Sequence, residues 1–304
     1  MATSLMDRTD SLTGEQLADW KANGYLLIRG FADAAYCQAL HDRAVELARA
    51  DAAGGDIGKA KVSREPRPHP DSKLPEELVG KIFWLHFWDP QVGAFITSRK
   101  LVTYLSQLIG PDVSCYDSQF IFKNRGAAGQ PWHQDTWYHR LEPSGQVAAW
   151  LAITDATPDN GPLWVVPGSH TDPIHNVEPD RRPQARGGYV EITERDTSSE
   201  VAALLNAGDL LLFHSSIMHK STDNTSDGPR VAVVCHFSAP GVKEPPLDDP
   251  GALANTWVSS IKGDMSESER AELIDRYSTA IREFFRIQWT PVLRDGEPVP
   301  YQPN

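Results

Sequence analysis

The chain has 304 residues, is 40% hydrophobic and carries nine Trp, ten Phe and eight Tyr, enough for a well-packed core in one large domain or two average ones. Its formal net charge of −12 argues against nucleic acid or an anionic membrane as the main partner. The three cysteines, Cys37, Cys115 and Cys235, are far apart and odd in number, which implies no disulfide framework and suits a reducing cytoplasm.

Met1 to Asp10 is polar and lacks an apolar core, so no secretory leader is expected, and no apolar run reaches membrane-spanning length. Thr13-x-x-Gln16 reads as a capping box opening a short helix that Asn23-Gly24 ends. Tyr25–Ile28 reads as a buried strand. Asp33 caps a second helix, whose Cys37, Leu40, Ala44 and Leu47 form an apolar stripe. Residues 51–76, rich in Gly, Pro, Lys and Arg, read as a solvated loop, with a substrate lid as the functional alternative. Ser98 to Ile109 suggests another helix.

From Val113 the pattern is strand after strand: Val113 to Lys123, Val147 to Ile153, Leu163 to Pro167, Gly188 to Ile192, Leu210 to His214 and Val231 to Ser238. Turn signals such as Asp159-Asn160-Gly161-Pro162 separate them. The fold class expected is mainly β with flanking helices, a sandwich or jelly roll. The expected layout is one unit over 1–304: helical support at about 12–110, a β core at about 111–240, and a C-terminal extension at 241–304. The insert from Thr171 to Arg186, with Arg181 and Arg182, is a second candidate active-site loop. Ser266-x-x-Glu269 opens a last helix with Ile274, Tyr277, Ile281, Phe284 and Phe285 as its apolar stripe, expected to pack outside a sheet.

The chemistry centres on His133-Gln134-Asp135. On a strand, His133 and Asp135 would project to one face, giving two members of a 2-His-1-carboxylate triad. The third is His214 or His219, and the residues alone do not separate them. Arg230 follows eleven residues after His219. Its guanidinium is suited to a bidentate pair with a carboxylate of a 2-oxo dicarboxylic acid chelated by Fe(II).

The sequence resembles the phytanoyl-CoA dioxygenase family of Fe(II)/2-oxoglutarate-dependent oxygenases. The resemblance rests on His133-Gln134-Asp135, on Asp159 through His170, and on Gly208-Asp209-Leu210 leading to His219-Lys220-Ser221, Asn224 and Arg230. It covers roughly residues 12–240 and implies a double-stranded β-helix of the jelly-roll, cupin-like kind. Iron would be bound by His133, Asp135 and His219, which resolves the choice of histidine and leaves His214 in the core or behind the ligands. The resemblance further implies 2-oxoglutarate contacts at Arg230, Ser221, Trp150, Lys81 and Gln119. Two departures stand out: Lys220 replaces a usual Gly, and Lys123-Asn124-Arg125 replaces Lys-x-Pro. Because Asp135 keeps the carboxylate, the implied reaction is O2-dependent hydroxylation of an aliphatic C–H, with release of succinate and CO2. The substrate expected is a small metabolite or natural-product intermediate, with an acyl-CoA ester as alternative. An iron enzyme without 2-oxoglutarate and a non-catalytic jelly-roll binding protein are the competing readings. Oligomeric state is not legible.

Overall fold

The computed structural model describes residues 10–183, 189–244, 249–259, 261, 264–284 and 288–303. Residues 1–9, Arg186, Gly188, Phe285 and the side chain of Phe284 lie outside the described residues.

Helices α1 (Gly14–Asn23) and α2 (Ala34–Ala52) begin where their caps predict. The Thr13 hydroxyl accepts from the Gln16 N–H at 3.2 Å, the Gln16 side chain accepts from the Thr13 N–H, and the Asp33 carboxylate accepts from the Tyr36 N–H. Between them lies β1 (Tyr25–Ile28). The segment 51–76, read as a solvated loop or a substrate lid, contains β2 (Lys61–Arg64), which pairs with β3 (Val79–Phe83), and its Ser63 to Pro66 border the central cavity. Val62 is the one apolar residue of β2, too little of a pattern to mark it as a strand. Short α3 (Pro90–Ile96) and α4 (Arg99–Leu108) complete the N-terminal layer.

The long strands follow as β4 (Val113–Lys123) and, after the short helix α5 (Asp135–His139), β5 (Val147–Ala152). Then come β6 (Leu163–Val165), β7 (Glu178–Pro179), β8 (Val190–Glu191), β9 (Val201–Ala203), β10 (Leu210–His214), β11 (His219–Ser221) and β12 (Arg230–Ser238). The tail forms α6 (Pro250–Ser259), α7 (Glu267–Phe284), β13 (Thr290–Arg294) and β14 (Glu297–Pro298).

The main sheet runs β1-β10-β5-β12-β4-β13-β14, with β3 and then β2 joined at β4; a smaller sheet runs β11-β6-β9. All pairings within these two sheets are antiparallel. This is the expected jelly-roll, mainly β fold. Strands β5 and β12 are buried at every position because the sheet is covered on both faces, which explains their unbroken apolar runs. Its outer face packs on the N-terminal helices through Phe31, Leu40, Leu47 and Phe95. Its inner face meets the small sheet through Trp150, Val234, Leu211 and Val165.

The C-terminal segment departs from expectation. Helix α7 does not simply cover a sheet from outside: Tyr277 and Ile281 pack with Trp137, Trp257 and Val190, and Tyr277 reaches the central cavity. Strand β13 returns to extend the main sheet beyond β4. The three cysteines are free and buried, and among the described residues no helix is long and apolar enough to cross a membrane.

Candidate active site

The inner face of the main sheet sets the site by register. Lys123 faces Arg230 across β4 and β12; Ile121 faces Ala232, Gln119 faces Val234, and Asp117 faces His236. Lys81 lies beside Ile121 on β3, and Trp150 beside Val234 on β5. With side chains alternating between faces, these positions line one surface. All eight residues singled out from the sequence (Lys81, Gln119, His133, Asp135, Trp150, His219, Ser221 and Arg230) border a single cavity of about 460 Å³.

His133 and His219 are held by their backbones. The His133 N–H donates to the His219 carbonyl and the His219 N–H to the His133 carbonyl, both at 3.0 Å. Directly opposed residues of an antiparallel bridge put their side chains on the same side, and the two imidazole centres are 4.1 Å apart. The expectation that Asp135 shares a strand with His133 is corrected here. His133 is a bridge residue, while Asp135 is the first residue of α5, so a turn of helix, not the pleat, aims the carboxylate. Gln134 fixes the hinge between them: its amide N–H donates to the Ser216 carbonyl at 2.8 Å and its oxygen accepts from the His175 N–H at 2.9 Å.

The carboxylate Oδ1 of Asp135 is 3.6 Å from Nε2 of His133 and 3.6 Å from Nε2 of His219. The other ring nitrogens are occupied: His133 Nδ1–H donates to the Pro131 carbonyl at 2.7 Å and His219 Nδ1–H to the Ile217 carbonyl at 3.1 Å. A carbonyl can only accept, so Nδ1 carries the proton on both rings and each Nε2 keeps its lone pair. Such backbone partners fix the tautomer of metal-ligating histidines. Burial, with His133 beside it, pushes His219 down to about 4, leaving it neutral as a ligand must be. One ligand atom from each of the three residues lies within 4.8 Å of the others. They could hold one divalent ion on a single face, leaving the cavity side open.

Arg230 is 1% exposed. Its Nη2 and Nε donate to the Gly161 carbonyl at 2.9 and 3.3 Å, and its guanidinium lies 5.2 Å from the Trp150 ring. Nη1 has no hydrogen-bond partner, and among the described residues no carboxylate is within ion-pairing distance. Burial alone pushes the group down to about 10. A fully desolvated cation with a spare donor bordering a cavity is a receptor for an anion. Ser221 accepts from the Lys123 ammonium at 3.0 Å and from the Gln130 N–H at 3.0 Å, so its oxygen is held beside Lys123. Lys81 places its ammonium 5.9 Å from the Phe83 and Tyr189 ring centres. Gln119 donates to Asp117 at 2.8 Å.

His214 lies away from this centre. It stacks near Trp20 and His170, and its Nδ1 accepts from the Ser216 N–H at 3.0 Å. Lys220, the departure from the family's glycine, pairs with Glu200 at 2.6 Å and sits between the Trp132 and Trp164 rings, 4.5 and 5.5 Å from their centres. It is anchored structurally and does not border the central cavity.

Two features escaped sequence reasoning. Lys123 borders the cavity directly across from Arg230; a lysine closing a strand opposite the arginine-bearing strand was the available signal. The second is a cluster of Asp117, His139 and His236 whose ligand atoms also lie within 4.8 Å of one another. It is assembled from three elements and has no sequence spacing to betray it.

Comparison with known proteins agrees with this geometry. The family model for phytanoyl-CoA dioxygenase matches residues 20–232. "Phytanoyl-CoA dioxygenase 1" of Oryza sativa subsp. japonica is 28% identical over 256 residues, covering 76% of this chain and 90% of the rice protein. Among solved structures, EctD from S. alaskensis with 2-oxoglutarate and 5-hydroxyectoine aligns with a TM-score of 0.59 at 22% identity, over 76% of this chain and 78% of that one. The non-heme alpha-ketoglutarate-dependent carbocyclase SnoK aligns with a TM-score of 0.58 at 19% identity, over 80% of this chain and 89% of that one. With its jelly-roll fold and a family match across most of its length, the chain belongs to the phytanoyl-CoA dioxygenase family.

Proposed function

We propose that this protein is a cytoplasmic Fe(II)/2-oxoglutarate-dependent dioxygenase that hydroxylates an aliphatic C–H of a small metabolite or natural-product intermediate. The carrying observation is that His133, Asp135 and His219 converge in the same cavity as a buried Arg230 that has no carboxylate partner among the described residues. The whole chain is read as one oxygenase unit, because β1–β3 and β13 all join the main sheet.

In this reading His133, Asp135 and His219 would hold the iron. Arg230 would take the distal carboxylate of 2-oxoglutarate through Nη1, with Lys123 and Ser221 beside it and Trp150 beneath. Lys81 and Gln119 would border the same ligand. Bound together, Fe(II) and 2-oxoglutarate supply O2 activation and C–H oxidation, with succinate and CO2 released. The protein's part is position and exclusion of water. Phe213, 4.9 Å from the His219 ring, and Tyr138, 5.7 Å from the His133 ring, wall the imidazoles off from solvent.

The charges favour a small substrate over an acyl-CoA ester. Arg64 pairs with Asp51, Arg181 with Glu269 and Arg182 with Asp180, so these basic residues are already neutralised within the protein. The acidic surface likewise argues against nucleic acid. The test is 2-oxoglutarate-dependent succinate release by Fe(II)-loaded protein screened with small metabolites. Succinate formation that requires Fe(II) and is lost in His219→Ala is expected; Fe(II)-loaded protein that never consumes 2-oxoglutarate would contradict the proposal.

A further inference from the structure

The end of the cavity away from Arg230 has its own polar group. Strands β4 and β12 pair regularly from Arg230↔Lys123 to His236↔Asp117, and then the register shifts so that Phe237 faces Cys115. Tyr116 is the extra residue. In a regular strand Tyr116 and Asp117 would point to opposite faces; the bulge turns both into the cavity wall. His139 arrives from α5, four residues after Asp135 and therefore on the same helix face. Asp117, His139 and His236 thus meet from three elements. Six residue steps along β12, about 20 Å of extended chain, separate His236 from Arg230.

The cluster is a set of acceptors. Asp117 accepts from the neutral amide of Gln119, and among the described residues no lysine or arginine lies within ion-pairing distance of it. His139 Nδ1 is 2.8 Å from the Tyr116 hydroxyl, and its ring is 4.6 Å from that of His236. Burial, with His236 next to it, pushes His139 down to about 4, so it is neutral at physiological pH. His236 is 3% exposed, yet among the described residues its Nδ1 has no hydrogen-bond partner, and it lies 3.9 Å from Asp135 Oδ2. Lys81 sits four strand positions toward Arg230, at the level of Ala232, and its charge still reaches His139, adding to the lowering of that imidazole.

We infer that Asp117, His139 and His236 hold the protonated amine of the substrate, placing a neighbouring carbon beside Asp135 for oxidation. This rests on the function proposed above. An ammonium brings three donors and one positive charge; the cluster offers a carboxylate and two imidazoles, with His139 presenting Nε2 when Nδ1–H donates to the Tyr116 oxygen. An anionic substrate group would meet the unpaired Asp117 carboxylate, and a hydroxyl would leave its charge unmatched. Tyr116, 5.5 Å from the Trp289 ring, and Phe83 provide apolar surface for the rest of the molecule.

The probes are hexylamine, phenethylamine and tryptamine, each with its matched alcohol, titrated anaerobically into protein holding Fe(II) and 2-oxoglutarate and, separately by calorimetry, into metal-free protein. At least one amine should bind tenfold or more tightly than its alcohol, and Asp117→Asn should abolish that preference while the variant's melting curve stays cooperative. His236→Asn should weaken the same amine in the same direction. No amine preferred over its alcohol, or a preference that survives Asp117→Asn, would overturn the assignment. So would Co(II) binding at two equivalents per chain with the second lost in Asp117→Asn, which would make the cluster a divalent-cation site. The visible band of iron-chelated 2-oxoglutarate should need no amine, so its absence would count against the proposed function. The calorimetric arm would still decide the amine site.

Discussion

Replacing Arg230 by methionine should cripple 2-oxoglutarate binding while sparing the fold. The guanidinium is desolvated, and among the described residues its Nη1 has no partner and its removal breaks no ion pair. Truncating one partner of a buried, hydrogen-bonded charge pair costs about 2–5 kcal/mol of binding. Two features place Arg230 in the lower half of that range. Nη2 and Nε already serve the Gly161 carbonyl, and the Lys123 ammonium remains across the strand, although it is shared among Ser221, Thr222 and Ala128. At about 1.4 kcal/mol per tenfold, the 2-oxoglutarate Kd should rise roughly 30- to 300-fold. Calorimetry with Fe(II)-loaded protein reads this directly. The companion ligand is 2-oxopentanoate, which keeps the 2-oxo acid and lacks the far carboxylate. Wild type should discriminate strongly against it, and Arg230→Met should lose most of that discrimination. A Kd within about threefold of wild type, or discrimination that survives the substitution, would refute the reasoning and place the far carboxylate elsewhere.

His219→Ala should abolish iron binding, whereas His214→Ala should fold and still bind one iron; metal analysis of the purified variants checks both. Burial pushes His214 down to about 4, with His170 adding to the effect. Its folded pKa is therefore below the unfolded value, so its contribution is present above pH about 6.5 and lost as pH falls toward 4. His214→Asn should make the stability of metal-free protein less acid-sensitive in that window, measured by urea midpoints. Lys220→Gly should cost about 1–2 kcal/mol through loss of the Glu200 pair and the Trp132 and Trp164 contacts, without changing iron stoichiometry. Gly161→Ala should weaken 2-oxoglutarate binding. The glycine has a φ of +80°, a Cβ there would stand 2.5 Å from the Thr222 carbonyl, and its own carbonyl orients Arg230.

The sequence was most legible where one physical signal dominated. Capping side chains placed the starts of α1 and α2, and unbroken apolar runs placed β5, β10 and β12. It was least legible where tertiary pairing overrides local preference. Strand β2, with Val62 as its one apolar residue, forms because β3 offers it a ladder. The triplet from His133 to Asp135 could not reveal that a bridge and a helical turn, rather than one strand, aim its two side chains. Lys220 stood out only as a departure from the family's glycine; the tryptophans that hold it, Trp132 and Trp164, are distant in sequence. Lys123 and Asp117 become cavity residues only through the register of β4 against β12, and Tyr116 only through the bulge, neither of which leaves a pattern in composition.

The most direct test of the account is an anaerobic titration of metal-free protein, first with Fe(II) and then with 2-oxoglutarate, followed in the visible range. A charge-transfer band that needs both components, is absent in Asp135→Ala and requires far more 2-oxoglutarate in Arg230→Met is the predicted result. Iron that binds without any band on addition of 2-oxoglutarate would contradict the cosubstrate assignment, and failure to bind iron at all would contradict the metal site itself.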